Sequence, residues 1–212
     1  RAPPQLAAWT DEVSRRDALT ATVVTASGLM LPRSAVADEA SPRVPTVPLG
    51  SSNLRVSRTI QGYWQLAGGH GRYTEADAIS NMEAHAKAGM TTLDTADIYG
   101  PSEIIMGKFI QKNPTAIPCT KFCCFRYLEE IDRAEVKLRV QKACERLQVA
   151  KLPLVAFFWS NYDVKRYVDV ALYLAELKEE GLIGEIGATN FDLKRLKELK
   201  AAGYEIDVNK II

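Results

Sequence analysis

Apolar residues recur along this chain with two alternating periods. Between residues 75 and 88, Ala78, Ile79, Met82 and Ala86 fall three and four apart, the spacing of one helix face, and Gly89 follows where a helix would stop. Residues 90–94 then predict a short apolar strand. A second helix is predicted over residues 102–111, with Ile105, Met106, Phe109 and Ile110 in its core stripe, and a strand over 116–122. Residues 122–127 read as an aromatic and cysteine-rich loop, and 133–148 as a third helix carrying Val136, Val140, Ala143 and Leu147 inward. Residues 152–159 are almost continuously apolar, which marks a parallel strand buried on both faces. A helix over 163–180, a strand over 183–189, a helix over 192–202 and a strand beginning at Tyr204 complete the series. At the front, a strand over 59–64 leads into a glycine-rich loop carrying His70. Alternation this regular predicts a parallel sheet with helices outside it, counted as five βα units and a sixth strand.

Composition narrows the class. The 212 residues carry 27 basic and 26 acidic side chains, and the basic ones form no cluster, which argues against a nucleic-acid partner. Cys119, Cys123, Cys124 and Cys144 have no zinc-site spacing, and His70 and His85 lie far from them in sequence. Buried free thiols and no metal are expected, with a disulfide left open for an oxidising compartment.

The N-terminal part reads differently. Arg15 and Arg16, an apolar run over 18–31 and the small-residue triplet Ala35-Val36-Ala37 have the order of a twin-arginine export signal, so residues 1–37 are expected to be a targeting segment. The stretch ahead of the arginines suits a two-part presequence. The expected location is the chloroplast thylakoid lumen or its membrane surface, with a bacterial periplasm as the alternative. Residues 38–52, with Pro42, Pro45 and Pro48, read as a linker, and 53–212 as the folded domain.

The candidate chemistry lies in residues 90–100, Met-Thr-Thr-Leu-Asp-Thr-Ala-Asp-Ile-Tyr-Gly. Asp94 sits where the strand runs out, Tyr99 follows in the loop, and Lys121 closes the next strand. Tyrosine is a weak acid, with a free pKa of about 10. An ammonium and a carboxylate beside it can position it as a proton donor and lower that value. The plainer alternative is a turn whose Asp and Tyr serve local bonding.

Asp94-Thr-Ala-Asp-Ile-Tyr99-Gly100, Thr120-Lys121 and Gly187-Ala-Thr-Asn-Phe191, in that order, resemble the aldo-keto reductase family. The resemblance implies a (β/α)8 TIM-barrel fold, present here as an incomplete barrel, and NADPH-dependent reduction of a small carbonyl compound to an alcohol. It implies Tyr99 as proton donor, Lys121 as the cation that lowers the Tyr99 pKa, and Asp94 as holder of Lys121. Thr189 and Asn190 would bond the nicotinamide carboxamide. Phe158 departs from the family, which places a histidine there over the substrate carbonyl, and Lys210 stands near a usual amide. A complete barrel needs about 250 residues, so a fragment of a longer protein, or an open sheet covered by a partner, is expected. Activity therefore stays open at this point. The second reading is a non-catalytic, reductase-like subunit binding within a thylakoid membrane (photosynthetic) complex.

Overall fold

Six short parallel strands run side by side in chain order, each joined to the next by a helix or helical turn. The computed structural model describes residues 43–206 and 208–210. Residues 1–37, expected to be a targeting segment, therefore lie outside the described residues.

The strands are β3 (Gln61–Gly62), β4 (Thr92–Asp94), β5 (Ile117–Cys124), β6 (Leu152–Trp159), β7 (Ile183–Thr189) and β8 (Asn209–Lys210), following a hairpin of β1 (Thr46–Pro48) and β2 (Arg55–Ser57). The helices are α1 (Glu75–Lys87), α2 (Ser102–Lys112), α3 (Arg133–Leu147), α4 (Tyr167–Glu179) and α5 (Leu193–Ala201). A sheet whose strand order equals its chain order is the singly wound path of a (β/α)8 barrel, and this curled sheet with its helices is part of one. That agrees with the fold class expected from the sequence.

Side chains alternate faces along a strand, and laterally paired residues of parallel strands share a face. The register therefore sorts the sheet. Leu93, Phe122, Cys124, Val155, Phe157, Trp159, Ile186 and Ala188 join the main core with Met106, Phe109, Val140, Leu147, Val170, Leu174 and Leu199 of the helices. Asp94, Lys121, Ala156, Gly187, Thr189 and Lys210 fall on the other face by pairing.

Helix starts follow local chemistry. Thr74 caps α1 in a reciprocal box with Asp77, and Asp132 and Asp192 cap α3 and α5 by accepting from Glu135 N and Arg195 N. Gly89 ends α1 at φ 92°, and a Cβ there would lie 2.8 Å from Val44 N, so glycine is required by both torsion and space.

Several boundaries differ from the sequence expectation, and the last strand, expected to begin at Tyr204, is Asn209–Lys210 among the described residues. The segment read as a linker contains β1, tied through its hairpin to the start of β4 by reciprocal bonds between Ser57 and Thr92 (2.8 and 3.0 Å). Strand β5 continues through Cys124, so Phe122, Cys123 and Cys124 are strand residues rather than loop, because both faces stay buried there. Helix α4 starts at Tyr167, since Asn161 holds a turn by accepting from Asp163 N (3.0 Å). The first barrel strand shrinks to Gln61–Gly62.

Candidate functional site

Asp94 ends β4, and its register neighbour in β5 is Cys119, two residues before Lys121 on the same face. This places the Lys121 side chain against the carboxylate. Lys121 Nζ donates to Asp94 Oδ2 at 2.7 Å and to the Thr95 carbonyl at 2.9 Å. Its side chain is only 2% exposed, so the carboxylate and the carbonyl replace the water it has lost. Tyr99 is held in the β4–α2 loop by Tyr99 N donating to Ala96 O and Ser102 N donating to Tyr99 O. The Lys121 ammonium lies 4.8 Å from the centre of the Tyr99 ring. The structure thus brings Asp94, Tyr99 and Lys121 into one cluster.

One electrostatic expectation is corrected. Lys121 was expected to lower the Tyr99 pKa, but the phenol is pushed up. Burial is the leading cause, the Asp94 charge adds to it, and Lys210 opposes both. Desolvation wins because the ring is nearly covered and the ammonium faces its plane.

Thr189 and Asn190 lie at the carboxyl end of β7. Thr189 is fully buried, and its hydroxyl has no hydrogen-bond partner among the described residues. A buried hydroxyl left unpaired costs about 1–3 kcal/mol. Asn190 sits in the left-handed region at φ 59°, anchored by its N–H to the Lys210 carbonyl (2.8 Å). The Thr189 hydroxyl, without a partner among the described residues, is the group that a nicotinamide carboxamide would use here.

Lys210 was treated in the sequence only as a departure from an amide. In the structure its Nζ donates to Asp94 Oδ1, so Asp94 is clamped between two ammonium groups. Its partner lies 116 residues away in sequence, and no local pattern signals such a pair.

Phe158 is half-buried with Ala96, Tyr99 and Cys123, and its ring centre is 5.0 Å from that of Phe125. The wall beside Tyr99 is therefore apolar at Phe158, whose ring offers no donor. His70 packs on Trp64, with ring centres 4.2 Å apart. Behind the wall, Arg139 pairs with Asp97, donates to the Cys123 carbonyl at 2.7 Å and covers the Phe122 ring at 3.9 Å. Asp97 in turn accepts from Cys123 N at 3.2 Å, so this pair locks the end of β5 to the loop that carries Tyr99. A groove of about 880 Å³ opens next to Cys123, lined by Ile98, Phe125, Tyr127 and Leu138 among others.

Comparison with known proteins matches residues 59–212 to the Aldo/keto reductase family. The NADH-specific methylglyoxal reductase of Escherichia coli (strain K12) is 25% identical over 186 residues, covering 76% of this chain and 56% of that protein. Aldo-keto reductase YhdN of Bacillus subtilis (strain 168) is 28% identical over 163 residues, covering 72% and 49%. The chain spans about half the length of these curated relatives. A putative aldo-keto reductase from Pseudomonas aeruginosa superposes with a TM-score of 0.69 at 22% identity, covering 82% of this chain and 70% of that one. An aldo/keto reductase from Brucella melitensis gives 0.64 at 24%, covering 80% and 62%. At these identities the two solved structures speak for the fold alone.

Proposed function

The chain belongs to the aldo/keto reductase family, and on that premise we propose that its site reduces a small carbonyl compound to an alcohol with a reduced nicotinamide dinucleotide. The observation that carries the reading is the Asp94–Lys121 pair set against Tyr99, with the unpaired Thr189 hydroxyl on the same face of the sheet.

The cofactor, when bound, supplies the hydride. The chain supplies the proton and the positioning. Tyr99 donates its hydroxyl proton to the carbonyl oxygen, and its raised pKa keeps it in the protonated form that can donate. The phenolate left behind faces the Lys121 ammonium, which Asp94 and the Thr95 carbonyl hold in place. Thr189 and Asn190 take the carboxamide. Phe158 gives no second donor to the carbonyl oxygen, and loss of one such donor typically costs about 100- to 1000-fold in rate. A slow reductase is therefore expected.

The first substrate to test is methylglyoxal, the compound named for the Escherichia coli relative. NADPH is the cofactor implied by the sequence resemblance, and NADH is assayed beside it because that relative is named as NADH-specific. Tyr99→Phe should lower turnover at least about 100-fold without changing thermal stability. A variant as active as the native protein removes Tyr99 from the mechanism. A native protein that reduces no small aldehyde with either cofactor overturns the reading.

A further inference from the structure

We infer that Lys210 makes this site discriminate by charge between the two redox forms of the nicotinamide, holding the reduced ring more tightly than the oxidised one. The inference rests on the reading above, in which Thr189 binds the carboxamide.

Lys210 is the register partner of Thr189 in the neighbouring parallel strand. Their side chains leave the same face of the sheet about 4.8 Å apart in the hydrogen-bonding direction. A ring bonded by Thr189 would therefore lie beside the strand that carries Lys210, on the face where its ammonium meets Asp94. That ammonium is not balanced one for one. Lys121 and Lys210 both bond Asp94, one to each oxygen, and Asp94 is the carboxylate that the ion pairs among the described residues give to either of them. Among the described residues, two ammonium groups bonded to one carboxylate leave one positive charge in excess. The side chains are 2%, 14% and 16% exposed for Lys121, Lys210 and Asp94, so water screens the excess poorly.

The two forms of the cofactor have nearly the same shape. They differ by one positive charge on the ring, carried by the oxidised form only. The excess cation therefore acts on one form and not the other. The same charge opposes the positive ring that develops as hydride leaves, so Lys210 holds reduced cofactor while slowing its use.

The test is calorimetric titration of the purified protein with NADPH and with NADP+, repeated with NADH and NAD+. The reduced form should bind about tenfold more tightly than the oxidised form or better, from one unit charge acting across a few ångströms of weakly screened space. Lys210→Gln, an uncharged side chain of similar reach, should bring the two constants close together and raise the rate of aldehyde reduction. Lys210→Arg, which keeps the cation, should preserve the preference. Equal binding of both forms by the native protein refutes the charge argument while leaving the reductase reading intact. A preference that survives Lys210→Gln refutes the role of Lys210. Binding of neither form refutes the cofactor reading itself and the inference with it. A Lys210→Gln protein that does not fold moves the decision to Lys210→Arg: loss of the preference there, with the fold kept, overturns the inference.

Discussion

Asp94→Asn is the substitution that most directly probes the two-lysine clamp. It keeps size and shape, and removes the charge that both Lys121 and Lys210 face. Removing one partner of a buried ion pair costs about 3–5 kcal/mol, mostly because a charge is left buried and uncompensated. Lys121, at 2% exposure, cannot turn to water, so the cost should fall in that range and not near the zero of a surface pair. Lys121→Met behaves differently. It leaves Asp94 still paired with Lys210 and loses hydrogen bonds to Asp94 and the Thr95 carbonyl, a cost of about 1–3 kcal/mol. The expected order is thus Asp94→Asn worse than Lys121→Met, with the double variant better than the sum by about 1–3 kcal/mol, because once the ammonium is gone the carboxylate has less to balance. Urea unfolding of the purified proteins near neutral pH, followed by circular dichroism, gives all the terms. In thermal melts a loss of this size corresponds to about 6–20 °C for a domain of this size. An Asp94→Asn protein within about 1 kcal/mol of the native, a loss smaller than exposed-pair and buried-pair estimates allow to be confused, or a Lys121→Met protein that is the worse of the two, refutes the reasoning.

Two further outcomes test the frame around the site. Gly107 is where α2 meets α3, and a Cβ there would stand 2.3 Å from the Arg146 carbonyl oxygen and 3.0 Å from the Leu147 carbonyl carbon. Gly107→Ala should therefore destabilise by about 1–3 kcal/mol through overpacking, despite the roughly 1 kcal/mol that alanine adds to a helix; a more stable variant in chemical denaturation contradicts this. Glu103, buried between Thr120 (2.5 Å) and Arg146 (2.6 Å), has its carboxyl pushed up by burial ahead of both partners. The folded protein then holds a proton that the unfolded chain has released, so this group's contribution is full below the ordinary carboxylate value and is lost as pH rises through the raised one. Glu103→Gln should gain stability relative to the native protein as pH rises through that window, read from urea melts at spaced pH; a constant difference refutes the assignment.

Much of the architecture was written in local pattern. The strand from Ile183 to Thr189 and the helix caps at Asp132 and Asp192 follow from periodicity and capping chemistry, which act within a turn or a few residues. Asp94, Tyr99 and Lys121 were singled out through motifs and the fold brings them together, while Thr189 and Asn190, singled out the same way, lie at the carboxyl end of β7. The short strand from Thr46 to Pro48 was not legible: its prolines read as a linker, and it becomes a strand only because Arg55–Ser57 is there to pair with it. Nor was the strand state of Cys123 and Cys124, since a loop and a doubly covered strand end look alike until the neighbouring Phe158 and Trp159 are in register. The direction of the Tyr99 shift was misread for a related reason: a neighbouring charge can be named from sequence, but the depth of burial that outweighs it cannot. The sequence by itself determined most of the alternating strands and helices, because these depend on near neighbours. Only the tertiary structure decided that Lys210 shares Asp94 with Lys121 and that the Thr189 hydroxyl has no partner among the described residues, because lateral strand order and depth of burial are properties of the assembled sheet and of no single stretch of chain.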